Sequence, residues 1–184
     1  MLLVFSLILL AALVAEDQLI KLFIIQNVAE GRGGANYYTF SIGDFNVFSI
    51  THIRNDGAGW SILGGQTVFL AVFTVIVLLG LLAYMILKRH SLNRFEMLSL
   101  SLIIGGGLGN LIDRFRMLIE GTDKFSGVVD YIKLRFIDFP VFNFADCCVV
   151  IGAILFCVLM LFSEIKSSRE KKSAKTEAHG DESV

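Results

Sequence analysis

Four aspartates, Asp17, Asp113, Asp130 and Asp146, stand in or beside apolar stretches of the 184-residue chain, where an ionised carboxylate is costly and needs a reason to be there. Asp146 falls in the first two turns of the apolar run from Val141 to Phe162; at about 1.5 Å per residue it sits roughly 8 Å below the start of that run. A carboxylate at such a depth is paired, hydrated or protonated. Asp130 lies 16 residues earlier, after Gly127-Val128-Val129, in a connection that returns to the same end of the run. A simple reversal of the chain would bring the two together. Two carboxylates in contact at low dielectric cannot both ionise, so they share one proton and offer an acid and a base at once. Hydrolysis of a peptide bond by activated water requires that pair of functions. A plainer reading stands beside it, in which Asp146 caps the fourth helix or pairs with Arg114 and Asp130 is a solvated loop acid.

Other chemistries are set aside on residue inventory. The three histidines are His52, His90 and His179, none at membrane depth, so no Ser-His constellation is available there. Cys147, Cys148 and Cys157 show neither C-x-x-C nor His-ligand spacing and read as small apolar helix residues. Gly105-Gly106-Gly107-Leu108-Gly109 lacks the preceding strand of a dinucleotide fold. Gly105 and Gly109 instead make a small-xxx-small pair suited to close helix packing in lipid. No metal and no cofactor is expected. Asn110, Asp113 and Arg114 are spaced i, i+3, i+4 and share a helix face, and Asp17 and Lys21 are i, i+4; either set can be structural alone.

The elements that position these residues follow from composition and hydropathy. With 55% hydrophobic and 18% charged residues, against roughly 25% charged in ordinary soluble domains, the chain is too apolar for a water-facing surface. The formal net charge of -1 gives no basic field for nucleic acid. Thr67 to Leu87 has no charged residue over 21 positions and crosses a hydrocarbon core of roughly 30 Å. Further spans are expected over residues 1–25, 95–112 and 141–162. The first holds no Lys or Arg near its start, and Ala12 and Ala15 have the wrong spacing for cleavage, so it is expected to stay as a span. Between the first two spans, a Gly-rich loop at Glu30 to Ala35, a β-branched and aromatic stretch at Phe45 to Arg54, and turn chemistry at Asn55-Asp56-Gly57 predict a small sheet on the membrane surface, residues 36–64.

The expected fold is therefore a mainly α membrane protein: four transmembrane helices with a small extracytoplasmic β-sheet between the first and second spans. Residues 1–163 form one membrane-embedded domain, Phe115 to Pro140 is a polar connection, and residues 164–184 form a charged, cytoplasmic, disordered tail. Basic residues divide evenly between the two sides. The density of Lys88, Arg89 and Arg94 in one short turn puts that turn and both termini in the cytoplasm, leaving the polar ends of the spans facing outward.

Four segments together resemble the lipoprotein signal peptidase family, also called signal peptidase II. They are Asp17-Gln18-Leu19-Ile20-Lys21; Asn55-Asp56-Gly57-Ala58; Gly107 to Arg114; and Val128-Val129-Asp130 with Phe142-Asn143-Phe144-Ala145-Asp146. The resemblance implies a bacterial plasma-membrane aspartic endopeptidase. Such an enzyme removes signal peptides from prolipoproteins, cutting just before a diacylglyceryl-modified cysteine, and is inhibited by globomycin. Carried over by motif, Asp130 and Asp146 are the catalytic dyad. Asn55, Gly57, Asn110, Asp113, Arg114 and Asn143 line or brace the site, and Asp17 with Lys21 supports it from the first span. The implied partners are the lipidated precursor and membrane lipids. The chain departs from the family pattern at Gly59 and Trp60, where Ala and Phe are usual, at Cys147, where Ser is common, and in the Gly-rich stretch from Glu30 to Gly34. Two rival readings, a proton-coupled transporter or channel component and a non-enzymatic assembly factor, predict no shortening of a lipidated precursor. With no internal repeat and both key acids near one face, the chain makes a poor alternating-access transporter.

Overall fold

The computed structural model describes residues 1–31, 38–56, 66–121 and 126–181. In chain order the elements are α1 (Leu2–Asn27), β1 (Tyr38–Ile42), β2 (Phe45–Asn55), α2 (Thr67–Leu87), α3 (Arg94–Glu120), β3 (Val128–Leu134) and α4 (Phe144–Asp181). Four helical stretches are long and apolar enough to cross a membrane: Leu2–Asn27, Thr67–Leu87, Arg94–Glu120 and Phe144–Lys166.

The least apolar of them is the most enclosed. In α3 the mean hydropathy is 1.5 and 56% of its best window is buried, against 2.1 to 2.8 and 17% for the other three. In lipid the outward faces must be apolar, and polar groups gather where helices meet. Accordingly α1, α2 and α4 all pack on α3. Its glycines make that possible by close approach. A Cβ at Gly105 would press on Leu13 of α1 at 3.1 Å, one at Gly106 would strike the Ala145 carbonyl of α4, and one at Gly107 would meet Leu78 of α2 at 2.7 Å. The expected small-residue face at Gly105 and Gly109 is therefore turned to α1, where a Cβ on Gly109 would run into the Asp17 carboxylate.

Local signals set the ends of α3. Asn93 caps its start: the Asn93 side chain accepts from the Phe95 and Glu96 amides at 2.8 and 3.0 Å, and Glu96 accepts from the Asn93 amide at 2.7 Å. The helix runs past Ile112, where the apolar pattern ends, and stops at Gly121 with φ 82. Polarity at Asp113 and Arg114 marks the edge of the apolar phase, and no Pro or Gly lies between Ile112 and Gly121. At the other end of the chain α4 runs to Asp181, past the apolar stretch that ends at Lys166. The span supplies the nucleus, and the following Glu, Lys, Arg and Ala residues propagate it at little cost.

The sheet has the order β1-β2-β3 and is antiparallel throughout. A two-residue turn at Gly43-Asp44, with Gly43 at φ 59, joins β1 to β2. These two strands lie where the sheet is expected, between the first two spans. The third strand comes from the polar connection, whose residues 115–120 belong to α3 and 128–134 to β3. Gly127, at φ 155, lets β3 close on β2, since a Cβ there would lie 2.5 Å from the Asn55 carbonyl oxygen. Ile24, Val28, Val129 and Tyr131 form the core under the sheet, which fixes it to the end of α1.

The α3–α4 contact makes a direct test. Gly106→Ala should lower stability by about 1–3 kcal/mol through overpacking, read as a drop in Tm in detergent. Gly80→Ala, where nothing lies within 4 Å, should leave Tm unchanged or slightly raised.

Candidate active site

The strand β3 carries Asp130, and the chain then reverses. Tyr131 and Ile132 donate their amides to the Phe142 carbonyl at 3.0 and 2.8 Å, and Phe142 donates back to Ile132 at 3.1 Å. This reversal delivers Asn143 and the first turn of α4 beside β3. The Asn143 side chain accepts from the Asp146 amide at 2.9 Å, while Asp146 accepts from the Asn143 amide at 3.1 Å, a reciprocal cap of the helix start. The expected meeting of Asp130 and Asp146 by chain reversal is what the backbone does. The plainer reading of Asp146 as a helix cap holds as well, and the two roles coexist. Asp130, however, is only 2% exposed and is no solvated loop acid.

Asn143 joins the two acids. Its side-chain nitrogen donates to Asp130 Oδ1 at 2.7 Å and to Asn110 Oδ1 at 3.0 Å. Asp130 Oδ2 accepts from Asn55 at 3.0 Å, and Asp146 Oδ1 accepts from Asn110 Nδ2 at 2.7 Å. Which way the Asn110 amide faces is settled by its other neighbour. Lys21 Nζ lies 2.9 Å from Asn110 Oδ1, and an ammonium can only donate, so the Asn110 oxygen faces Lys21 and the nitrogen faces Asp146.

Lys21 is itself held at 2.8 Å from Asp17 Oδ2 and 2.9 Å from Asp113 Oδ2, with all three side chains at most 2% exposed. Asp113 also accepts from the Val129 amide at 3.3 Å, tying α3 to the strand that bears Asp130. Gln18 completes the cluster, donating to the Gly109 carbonyl at 3.1 Å and to Asp17 at 3.2 Å. Of the residues named from the sequence, Asp17, Lys21, Asn110, Asp113, Asn143, Asn55, Asp130 and Asp146 are thus one connected set. Gly57 lies outside the described residues, as do Gly59 and Trp60.

A cavity of about 470 Å³ opens on the two acids. Asn55, Asn110, Arg114, Asp130 and Asp146 supply its polar wall, and Phe139, Pro140, Phe142, Val150 and Ile151 much of the rest. Cys147 lines it too, directly beside the second acid. Arg114 donates to the Asn110 carbonyl at 3.4 Å. Burial, and next the negative charge of Asp146, push the Asp130 carboxyl up to about 7, against the hydrogen bonds from Asn55 and Asn143. An acid with that value still holds its proton in about half of the molecules in neutral water, where an ordinary carboxylate has lost it. Sequence reasoning missed Gln18 and Tyr131, whose phenol accepts from the Phe144 amide at 3.1 Å at the start of α4. Gln18 stands inside the first quoted motif, next to Asp17. Tyr131 had no signal beyond adjacency to Asp130.

A family model described as Signal peptidase (SPase) II matches residues 9–162. The chain belongs to the signal peptidase II family. Lipoprotein signal peptidase of Streptococcus pyogenes serotype M5 is 40% identical over 157 residues, 85% of this chain and 91% of that protein. The protein of the same name from Enterococcus faecalis is 34% identical over 163 residues, 89% and 91% of the two chains. A solved bacterial membrane enzyme, determined in meso at 2.3 Å resolution, superposes with a TM-score of 0.71 at 33% identity, over 87% of this chain and 89% of that one. Membership in the signal peptidase II family makes the chain a multi-pass membrane peptidase of the class that removes lipoprotein signal peptides.

The Lys21 cluster predicts a specific pattern of stability. Lys21→Met leaves two buried carboxylates uncompensated and should cost about 3–5 kcal/mol. Adding Asp113→Asn should recover a substantial part of the lost Tm, although Asp113→Asn alone is destabilising. Additive losses in the double variant would contradict the pairing.

Proposed function

We propose that Asp130 and Asp146 are the catalytic dyad of an aspartic endopeptidase that removes the signal peptide from diacylglyceryl-modified prolipoproteins, cutting the bond just before the lipidated cysteine. The observation that carries this reading is the pair of carboxyl groups facing one cavity and joined through Asn143, with Asp130 buried and its carboxyl pushed up to about 7. Asp146 receives hydrogen bonds from Asn110 and from the Asn143 amide at the positive end of α4, which suits an anionic base.

In this mechanism Asp146 takes a proton from a water held between the acids while Asp130 protonates the scissile carbonyl oxygen. The water oxygen bonds to the carbonyl carbon to give a tetrahedral diol. Collapse of the diol breaks the C–N bond, the proton held by Asp146 passes to the leaving amine, and Asp130 recovers its proton from the diol hydroxyl. Asn55, Asn110 and Asn143 keep the acids aimed, and Arg114 adds positive charge beside them. Gly57, in the quoted Asn55-Asp56-Gly57-Ala58 motif, is assigned to the substrate-facing wall. A globomycin-type cyclic peptide would compete for the same cavity.

The proposed site is in the bacterial plasma membrane, near the extracytoplasmic face, with both termini cytoplasmic. Support comes from the basic turn at Lys88, Arg89 and Arg94, which joins the ends of α2 and α3 remote from Asp146 and β3. A precursor anchored by its lipid would reach such a site by lateral diffusion. Membrane lipids are then the medium of the encounter as well as the enzyme's solvent.

Replacing either acid with Asn preserves shape and removes the acid–base pair. Cleavage of a lipidated precursor should fall by about 10²–10⁴-fold or more in each variant, with Tm kept. Substantial turnover by either would reject the dyad.

The pH dependence has a definite sign. Since the active form needs the proton on Asp130, kcat/KM should hold below pH 7 on this limb and decline about tenfold per unit as pH rises above about 7. A rate still climbing well into the alkaline range would contradict the shared proton.

A further inference from the structure

A second cavity, about 280 Å³, reaches Asp146 from another direction. It runs along α3 between α2 and α4, both of which pack on α3. Ile103 and Gly107 form its floor, Phe73 and Val77 one wall, and Val149 and Val150 the other. Ile103, Gly107, Asn110 and Arg114 are spaced 4, 3 and 4 along α3, so they share one helix face. That face leads from the polar end of the span about 10 Å inward. Asn110, Arg114, Asp146 and Val150 line both cavities, so occupants of the two would meet beside Asp146. Phe73 and Val150 are 56% and 55% exposed, which leaves the groove open on the side that faces lipid.

The walls decide what can lie there. Beyond the shared polar end, Thr74 is the one polar side chain lining the groove among the described residues. The three helices use their own backbone groups internally. A peptide laid in this groove would leave an N–H and a C=O per residue without partners in a region where water is absent, at several kcal/mol each. A hydrocarbon chain has no such groups. The wider cavity is different, because Asn55, Val128 and Asp130 of the sheet border it and a peptide can hydrogen-bond there. The absence of a side chain at Gly107 keeps the floor low where α2 leans over it, since a Cβ there would meet Leu78 at 2.7 Å.

We infer that the α2–α3–α4 groove holds an acyl chain of the diacylglyceryl group while the peptide occupies the wider cavity, an assignment that rests on the dyad reading above. The groove thereby sets acyl-chain selectivity, and its occupant aligns the modified cysteine with Asp146.

The test uses the full chain in vesicles and precursors whose cysteine carries either short or long acyl chains. Val77→Trp, at a partly lipid-exposed position, fills the groove; Ile76→Trp puts the same bulk on the adjacent lipid-facing residue, outside the groove. Val77→Trp should lower the ratio of long-chain to short-chain kcat/KM at least about tenfold, and Ile76→Trp should leave the ratio unchanged. Thr74→Phe, nearly one turn away in the same groove, should repeat the shift and serves if Val77→Trp does not fold. An unchanged ratio in a folded groove variant, or an equal loss for both precursors, overturns the acyl assignment. Asp130→Asn, run in parallel, separates the two readings. Abolished cleavage in that variant together with an unchanged ratio in Val77→Trp refutes the groove alone, whereas continued cleavage refutes the dyad on which it rests.

Discussion

An ammonium group inside a membrane helix bundle has three hydrogens and must find three acceptors without water. Lys21 finds them in Asp17, Asp113 and Asn110, at 2.8, 2.9 and 2.9 Å. Leaving the ion unpaired would cost several kcal/mol, so satisfying it constrains everything nearby. It fixes α1 against α3, which is why Gly109 has no room for a side chain beside Asp17. It turns the Asn110 amide so that a donor points at Asp146. Through Asp113 and the Val129 amide it holds β3, and with β3 the other acid. The placing of the two acids is thus set from behind, by a charged cluster that does not open on the cavity.

That arrangement reconciles two opposed demands. Peptide hydrolysis needs water and ionisable groups, whereas a lipid-anchored substrate must be met within the bilayer. Placing the acids where α3 and α4 emerge from the apolar phase, under a three-stranded sheet, answers both. Burial raises the Asp130 carboxyl to about 7, while the cavity beside it leaves both acids accessible. The chemistry needs no metal or cofactor if the two acids hold one proton between them. Cys147 stands in the cavity wall where Ser is common in the family, so its effect falls on packing near the substrate and leaves the acids in place.

Much of this was legible in the residues themselves. The spans show in hydropathy because the faces that helices turn to lipid must be apolar. The two acids show because a carboxylate inside an apolar run needs an explanation. The i, i+4 spacing of Asp17 and Lys21 suggested their pairing, but the contact from Lys21 to Asp113 and Asn110 crosses 92 and 89 positions of chain and leaves no local trace. Strand β3 was read as polar connection because Asp130 and Lys133 break its apolar run, although Val128-Val129-Asp130-Tyr131-Ile132 is rich in strand-forming residues. Its partner is a strand more than 70 residues earlier, and pairing over such a distance is decided by packing.

The central claim is that one proton is shared by the two acids and resides on Asp130 until the pH rises through about 7. Infrared difference spectroscopy of the purified protein, with isotopically labelled aspartate, reads a protonated carboxyl directly through its C=O stretch. The account predicts a protonated-carboxyl band at pH 6 that titrates away near pH 7 and is missing from Asp130→Asn. A spectrum in which no such band depends on Asp130, or in which Asp130 is already ionised at pH 5, would contradict it.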